Sequence, residues 1–160
     1  MQLHHFTPKQ LLRVKGVLVQ FLRKYGNGRI THHAIRWFQE ITGELSNETL
    51  VAATLEDKKI TGVIVFGNYG MEESFIVVHP KYRNQRLGEM LLNYSLEKLD
   101  KVYTRVACDN TPSLKLCFSC GMVAISLFTG PTGKPTLWLA GGNWRSNDIL
   151  SNPLLEPPSN

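Results

Sequence analysis

The sequence predicts an α/β (α+β) fold in which a central mixed, partly parallel β-sheet of about six or seven strands is flanked by about four helices. Apolar residues first recur at helical spacing, between residues 8 and 42. From Leu50 onward the period shortens, and runs rich in β-branched residues alternate with helical segments. Strands that alternate with helices pair partly in parallel and are covered by those helices, which gives this class.

The helical part comes first. Thr7 supplies a capping hydroxyl and Pro8 suits a first turn, so a helix is predicted over residues 8–25. A second helix is predicted from Thr31 to about Thr42, closed by Gly43. A short apolar stretch at residues 2–6 precedes both helices and is predicted as a strand.

The remaining elements follow in the order strand, strand, strand, helix, strand, helix, strand, strand. The two strand pairs at the ends of this series read as hairpins, around the turns at residues 56–59 and 130–133. The predicted ranges are 50–55, 60–66, 72–79, 87–99, 102–107, 112–119, 123–128 and 135–140.

Length and composition limit the class of protein. The chain has 160 residues, of which 42% are hydrophobic and 19% charged. We expect one domain over residues 1–140 and a flexible or surface-packed tail over 141–160. No apolar run approaches the ~18 residues of a membrane helix, the N-terminus lacks a signal-peptide pattern, and an odd number of cysteines indicates reduced thiols. A cytoplasmic protein without a membrane partner is therefore predicted.

Charge is distributed unevenly along the chain. The net charge is +5, and residues 1–39 hold Lys or Arg at seven positions but no Asp or Glu. A basic face attracts an anionic cofactor, an acidic acceptor or nucleic acid, and a solvated helix face explains the pattern equally well. Aromatic residues do not interleave with these basic residues as they do in readers of nucleic acid, so nucleic acid is disfavoured as a partner.

The segment most informative about function reads FIVVHPKYRNQRLGEMLL, from Phe75 to Leu92. A buried strand passes through His79 and Pro80 into a polar turn that opens directly into a helix. Such a turn directs unpaired backbone N–H groups and the positive end of the helix at one point. That point suits a pyrophosphate.

Two motifs in this region resemble the GNAT superfamily of N-acetyltransferases. The first resembles its motif A, Gln/Arg-x-x-Gly-x-Gly/Ala, at Arg83, Asn84, Gln85, Arg86, Leu87 and Gly88. The second, from Asn110 through Cys120, Gly121 and Met122, is similar to the family's Asn-x-x-Ala…Tyr-x-x-x-Gly-Phe segment. The order of predicted elements over residues 1–140 also resembles the GNAT fold.

The resemblance implies transfer of an acetyl group from acetyl-CoA to a primary amine of a small molecule or a protein, without a metal. Backbone groups of Ile76, Val77 and Val78 would pair with the pantetheine arm, and Asn110 would steady it. The pyrophosphate would be held by the turn and the start of the helix: Arg83, Asn84, Gln85, Arg86, Leu87, Gly88 and Glu89. The alternative is a catalytically degenerate GNAT-like binding or structural module, as in some phage-encoded proteins. A homodimer is compatible with either.

The catalytic assignments rest on the same resemblance. Glu72 lies at the spacing of the glutamate base of some histone-acetylating members, and Glu73 competes with it because the strand registry is open. Cys117 lies where many members carry the tyrosine that protonates the leaving thiolate. Arg86 replaces the first glycine of motif A, so the turn either tolerates a side chain there or differs in shape.

Two other patterns could suggest metal or redox sites but favour ordinary structural roles. Cys117 and Cys120 form a CxxC pair, but without a second pair at ligand spacing they are predicted as small core thiols, not as a redox or zinc site. The adjacent pairs His4–His5 and His32–His33 have diverging side chains and make poor metal ligands. If the first two helices pack side by side, His32 or His33 would line the acceptor cleft.

Overall fold

The structure is a computed structural model and describes residues 1–41 and 46–150. The strands are β1 (Gln2–His5), β2 (Leu50–Glu56), β3 (Lys59–Gly67), β4 (Glu73–Val78), β5 (Lys101–Ala107), β6 (Val123–Thr129) and β7 (Pro135–Gly142). The helices are α1 (Pro8–Tyr25), α2 (His32–Glu40), α3 (Leu87–Leu99), α4 (Thr111–Ser119) and α5 (Ser146–Leu150), with short 3-10 segments at Asn68–Gly70 and Pro80–Gln85.

Local sequence signals set the ends of the first elements. The Thr7 hydroxyl accepts the N–H of Gln10, whose side chain accepts the N–H of Thr7, so a capping box begins α1. In the β2–β3 hairpin, Asp57 and Lys58 have φ of 50° and 66°. Two such residues make a tight turn whose twist matches that of the flanking strands.

The strands form two antiparallel sheets. One has the order β1-β2-β3-β4 and the other β5-β7-β6. The first sheet is covered on both faces, which explains why β2 and β3 are almost continuously buried. Val51, Val63 and Val77 face a core under α1 and α2, whereas Ala52 and Ile64 face a second core under α3 and α4.

The parallel pairing is the detail that differs from the prediction. β4 connects to β5 through α3, a crossover that permits parallel neighbours, but no backbone ladder joins the two strands among the described residues. Instead Ser74 Oγ lies 2.7 Å from Thr104 Oγ1. At the start of this joint Gly70, with φ +93°, lies so close to the carbonyl of Tyr103 that a β-carbon would collide with it.

The predicted fold class is confirmed, and most predicted boundaries agree within two residues. Thr42 and Gly43, predicted to end the second helix, lie outside the described residues, as do residues 151–160 of the predicted tail. Within residues 141–150 the sequence did not indicate α5, which packs through Ile149 against Tyr103 and Trp138. Burial of that isoleucine, 5% exposed, and the contacts of Asp148 with Lys101 and Tyr103 hold the helix in place.

The described residues contain neither a membrane-spanning helix nor a cluster of metal ligands. Across residues 1–41 and 46–150, no helix has the length and apolarity needed to cross a bilayer. In the same part of the chain, no group of three or more His, Cys, Asp or Glu side chains gathers as metal ligands do.

Candidate functional site

β4 directs half of its backbone groups away from β3, toward the side on which β5 lies, and we call the space between these two strands the cleft. The register pairs Val77 with Val63, and the amide of His79 bonds β3 at 2.8 Å. Because backbone groups alternate along a strand, Ile76 and Val78 direct theirs to the opposite edge. Of the three residues predicted to pair with the pantetheine arm, Ile76 and Val78 therefore face the cleft and Val77 is committed to β3.

The turn after β4 delivers the chain to α3 through a left-handed residue. Arg86 has φ 59° and ψ 26°, and α3 begins at Leu87. No described side chain caps this helix, so the N–H groups of its first turn, including those of Gly88 and Glu89, lack helical partners. Together with the positive end of the helix dipole they make a site suited to an anion.

The side chains of this turn are exposed, and one of them reaches back to β4. Arg83 Nε donates a hydrogen bond to the Val78 carbonyl at 3.3 Å. The guanidinium thus uses a carbonyl that faces the cleft. Asn84, Gln85 and Arg86 are also exposed, and the Arg86 side chain is 86% exposed. All four side chains therefore extend into solvent beside the first turn of α3.

Gly88 lies where α3, α4 and β4 meet. A β-carbon on Gly88 would lie 3.2 Å from Leu116 Cδ2 and 3.8 Å from Ile76 Cδ1. α4 thus stands beside the proposed phosphate turn. The residue before α4 is Asn110, which is partly buried, and its side chain forms no capping bond to that helix. α4 therefore brings together the turn after β4 and the segment that begins at Asn110.

Glu73 is a buried carboxylate at the beginning of β4. It is 8% exposed and shares a face of the strand with Phe75, whose ring lies 6.0 Å from that of Phe38 in α2. Glu73 thus faces the helices that would flank an acceptor. Burial raises the pKa of Glu73, while the charges of Arg105 and His33 act to lower it.

Arg105 connects β5 to the beginning of β4. Its Nη2 lies 3.4 Å from Glu73 Oε1 and 3.3 Å from the Glu72 carbonyl oxygen. Its guanidinium carbon lies 5.3 Å from the centre of the Trp138 ring. The positive charge is therefore held between a carboxylate and an aromatic face.

Glu72 occupies a different environment from its neighbour. Its side chain is exposed, and Oε1 accepts the indole N–H of Trp37 at 2.9 Å. The Trp37 ring lies over Gly67, where a β-carbon would collide with it. Glu72 is thus held at the surface beside α2, while Glu73 points inward.

Cys117 lies in the core under α3, not in an open cleft. It is 6% exposed, and burial raises the pKa of its thiol to about 12, with a smaller effect from Cys120. A thiol with so high a pKa is a weak proton donor. Cys120 is partly buried, and both are free cysteines.

Several residues of this region were missed by sequence reasoning. Arg105 and Trp37 carried no motif, and their partners lie more than thirty positions away in sequence. Asp109, next to Asn110, bonds Arg29 and Lys134, each at 2.9 Å. The basic region over residues 1–39 was the available signal for Arg29, but nothing in the sequence indicated its partner.

An uncapped helix that follows a strand with a free edge is an arrangement with which many α/β domains bind a phosphorylated group. The sequence model of the acetyltransferase (GNAT) family matches residues 18–122, which include β4, the turn, α3 and α4. The chain therefore belongs to the acetyltransferase (GNAT) family. No curated protein sequence matches this chain.

Solved structures of acetyltransferases share the fold. An aminoglycoside 6'-N-acetyltransferase from Enterococcus faecium superposes with a TM-score of 0.66 at 15% identity, covering 91% of this chain and 98% of its own. A spermidine N-acetyltransferase mutant from Vibrio cholerae gives 0.62 at 15%, covering 94% and 96%. A Bacillus anthracis acetyltransferase in complex with acetyl coenzyme A gives 0.53 at 16%, covering 61% and 64%. At these identities the similarity establishes the fold alone.

Proposed function

We propose that the protein transfers an acetyl group from acetyl-CoA to a primary amine of a small molecule or a protein. The observation that carries the proposal is the junction of β4 and α3, where the cleft-facing backbone of Ile76 and Val78 adjoins the uncapped first turn of α3. An arm with amide groups fits the strand edge, and a pyrophosphate fits the helix start. Membership of the family supports both assignments.

The residues of the junction divide the binding between them. The backbone N–H groups from Arg86 to Glu89 would hold the pyrophosphate, and the exposed guanidinium groups of Arg83 and Arg86 would add charge-assisted contacts. If Arg83 turns to a phosphate, it releases the Val78 carbonyl to the arm. Asn110, between β5 and α4, would steady the arm from the other side.

Bound acetyl-CoA supplies the thioester, and the chain supplies a base for the acceptor. Of the two candidate carboxylates we favour Glu73 over Glu72, because Glu73 is buried on the face toward α2 and Glu72 is engaged by Trp37. Burial raises the pKa of Glu73, which suits a group that takes a proton from an amine near neutral pH. A backbone N–H at the cleft-facing edge of β4 would polarise the carbonyl.

Cys117 is not needed for this reaction as we propose it. Its buried thiol has a pKa of about 12, whereas an ordinary thiol has a pKa of about 8.5, so proton transfer from Cys117 to a departing CoA thiolate is unfavourable. In the proposed reaction the C–N bond forms as the C–S bond breaks, and the CoA thiolate takes its proton from solvent. We assign Cys117 to packing. The alternative function is a GNAT-like module that binds CoA without turnover, and a buried Cys117 is compatible with both functions.

Thermal unfolding tests the binding assignment. Acetyl-CoA at about 100 times its Kd should add about 2.7 kcal/mol to the free energy of unfolding, which is about 5–10 °C in Tm for a chain of this size. CoA and desulfo-CoA should stabilise similarly, because both retain the pyrophosphate and the arm. An unchanged Tm at millimolar concentrations of all three ligands would contradict the proposal.

A matched pair of substitutions at Gly88 localises the site. Gly88→Ala adds one methyl group against the mobile end of Leu116 and should fold and bind. Gly88→Leu fills the space between α3, α4 and β4 and should abolish the Tm shift while leaving a folded protein. Equal binding by both variants would place the pyrophosphate elsewhere.

Release of free thiol separates an enzyme from a binding module. The assay uses acetyl-CoA with spermidine, an aminoglycoside and a lysine-containing peptide as acceptors. Tight binding of acetyl-CoA with no thiol release across a broad amine panel would support the binding module instead.

A further inference from the structure

The beginning of β4 and the middle of β5 are held together by side chains on both faces of the sheet. On the face toward α3, Ser74 Oγ lies 2.7 Å from Thr104 Oγ1. On the other face, Arg105 Nη2 contacts the Glu73 carboxylate and the Glu72 carbonyl. We call these contacts the side-chain clasp. The clasp takes the place of the backbone ladder that is absent between the described residues of β4 and β5.

Arg105 is the constrained member of the clasp. It lies opposite Trp138 in the β5–β7 ladder, and the indole under its guanidinium is 3% exposed. A buried ring cannot swing away, so the planar guanidinium has a fixed platform. Its Nη2 then reaches two groups of β4, which fixes both the position of the strand and the direction of the carboxylate.

We propose that Arg105 is a positioning residue for acyl transfer, which holds the Glu73 carboxylate toward α2 and sets the point at which β4 and β5 diverge. This inference rests on the proposed function, in which Glu73 accepts the proton of the amine. Arg105 touches neither the acetyl group nor the acceptor in this account. It acts through Glu73.

The charge of Arg105 also affects the pH range in which Glu73 is deprotonated and can act as a base. Burial raises the pKa of Glu73, and Arg105 opposes that effect more than any other group. The other charged groups that act on Glu73 are His33 from α2, which lowers its pKa, and the adjacent Glu72, which raises it. A base must be deprotonated, so removal of Arg105 should shift the acidic limb of the rate profile to higher pH.

The test compares wild type, Arg105→Gln and Arg105→Lys by kcat/KM for thiol release as a function of pH. The fastest acceptor among spermidine, an aminoglycoside and a lysine-containing peptide is used. In Arg105→Gln the acidic limb should rise by about one pH unit, the lower end of the effect of an opposite charge at this distance. Arg105→Lys keeps the charge and should return the acidic limb of the pH profile to its wild-type position. Its kcat should remain reduced, because lysine lacks the planar guanidinium that stacks on Trp138 and bonds two groups of β4.

Thr104→Val is the matched control, because it breaks the other half of the clasp without changing charge. It should lower stability without moving the acidic limb. An unmoved limb in Arg105→Gln, or equal losses in the Gln and Lys variants at every pH, would reduce Arg105 to a structural contact and overturn the proposal. If Arg105→Gln does not fold, Arg105→Lys and a Glu73→Gln/Arg105→Gln double variant carry the test.

A thermal cycle keeps this result distinct from the acyltransferase assignment. Relative to wild type, Arg105→Gln should lose more Tm at pH 8 than at pH 5, and this difference should disappear in the Glu73→Gln background. Equal losses at both pH values would show that the pair is not coupled. Absence of thiol release by wild type refutes the acyltransferase and any role of Arg105 in it, whatever the thermal cycle shows.

Discussion

Arg86→Gly should stabilise the protein while weakening its binding of acetyl-CoA. Arg86 has φ 59°, in the left-handed region, and sits where motif A carries a glycine. A side chain in this conformation costs about 1–2 kcal/mol. Glycine removes that strain but gives the unfolded chain more freedom, which offsets about 0.5–1 kcal/mol.

Little else is lost with the side chain. Arg86 is 86% exposed, and its pair with Glu89, at 4.0 Å, is of the surface kind that contributes about 0–1 kcal/mol. A cation at a helix N-terminus is also unfavourable by a few tenths, about 0.3 kcal/mol or more. The net gain should be about 0.5–1 kcal/mol, or roughly 2 °C in Tm.

The assay is urea unfolding of wild type, Arg86→Gly and Arg86→Ala at pH 7. Arg86→Ala is the matched variant, since it removes the guanidinium but keeps a β-carbon in the strained conformation. The glycine variant should therefore exceed the alanine variant by about 0.5–1 kcal/mol, because the relief of strain is partly offset by the freedom of glycine in the unfolded chain. Both should bind acetyl-CoA about tenfold more weakly if the guanidinium meets a phosphate. Identical midpoints for the two variants would show that backbone strain at Arg86 is not a term in stability.

Three further predictions concern Cys117, Glu73 and Tyr103. Cys117→Ala should retain kcat and lose about 1 kcal/mol of stability; a fall in kcat of about 100-fold would instead identify the thiol as the acid. Glu73→Gln should raise Tm at pH 8 and do so less at pH 4, because a folded pKa raised by burial makes the carboxylate a cost as pH rises through it; an equal effect at both pH values would exclude that cause. Tyr103→Phe should cost about 1–3 kcal/mol in urea unfolding, since it removes the hydroxyl that bonds the Asp148 carboxylate and accepts the Arg145 amide. A loss near zero would mean that water replaces the hydroxyl.

The sequence predicted the parts of the fold that local chemistry determines. Thr7 with Pro8, the turn at Asp57 and Lys58, and the periodicity of α3 are signals carried by adjacent residues, and the structure agrees with each. The absence of a backbone ladder between the described residues of β4 and β5 was not predictable from adjacent residues. The way these two strands lie beside each other depends on contacts such as Ser74 with Thr104, which are thirty residues apart.

The candidate site shows the same division. The turn that we propose for the pyrophosphate could be delimited from the sequence because its residues are contiguous, and the left-handed Arg86 answers the question of shape raised by the missing glycine. The choice between Glu72 and Glu73 needed the registry of β4 against β3, which pairs Glu73 with Gly67. The environment of Arg105 could be predicted only from the pairing of β5 with β7, because its partner Trp138 is far from it in sequence.

The absence of a backbone ladder between the described residues of β4 and β5 also has a mechanical consequence. Because no backbone hydrogen bonds join the two sheets there, the second sheet can loosen while the first remains intact, at the cost of side-chain contacts and the cores under the helices. Amide hydrogens of Ile76 and Val78, on the open edge, should exchange with solvent faster than that of Val77. A ligand that lies along this edge as an added strand would slow that exchange, and it would make the two sheets unfold as one cooperative unit.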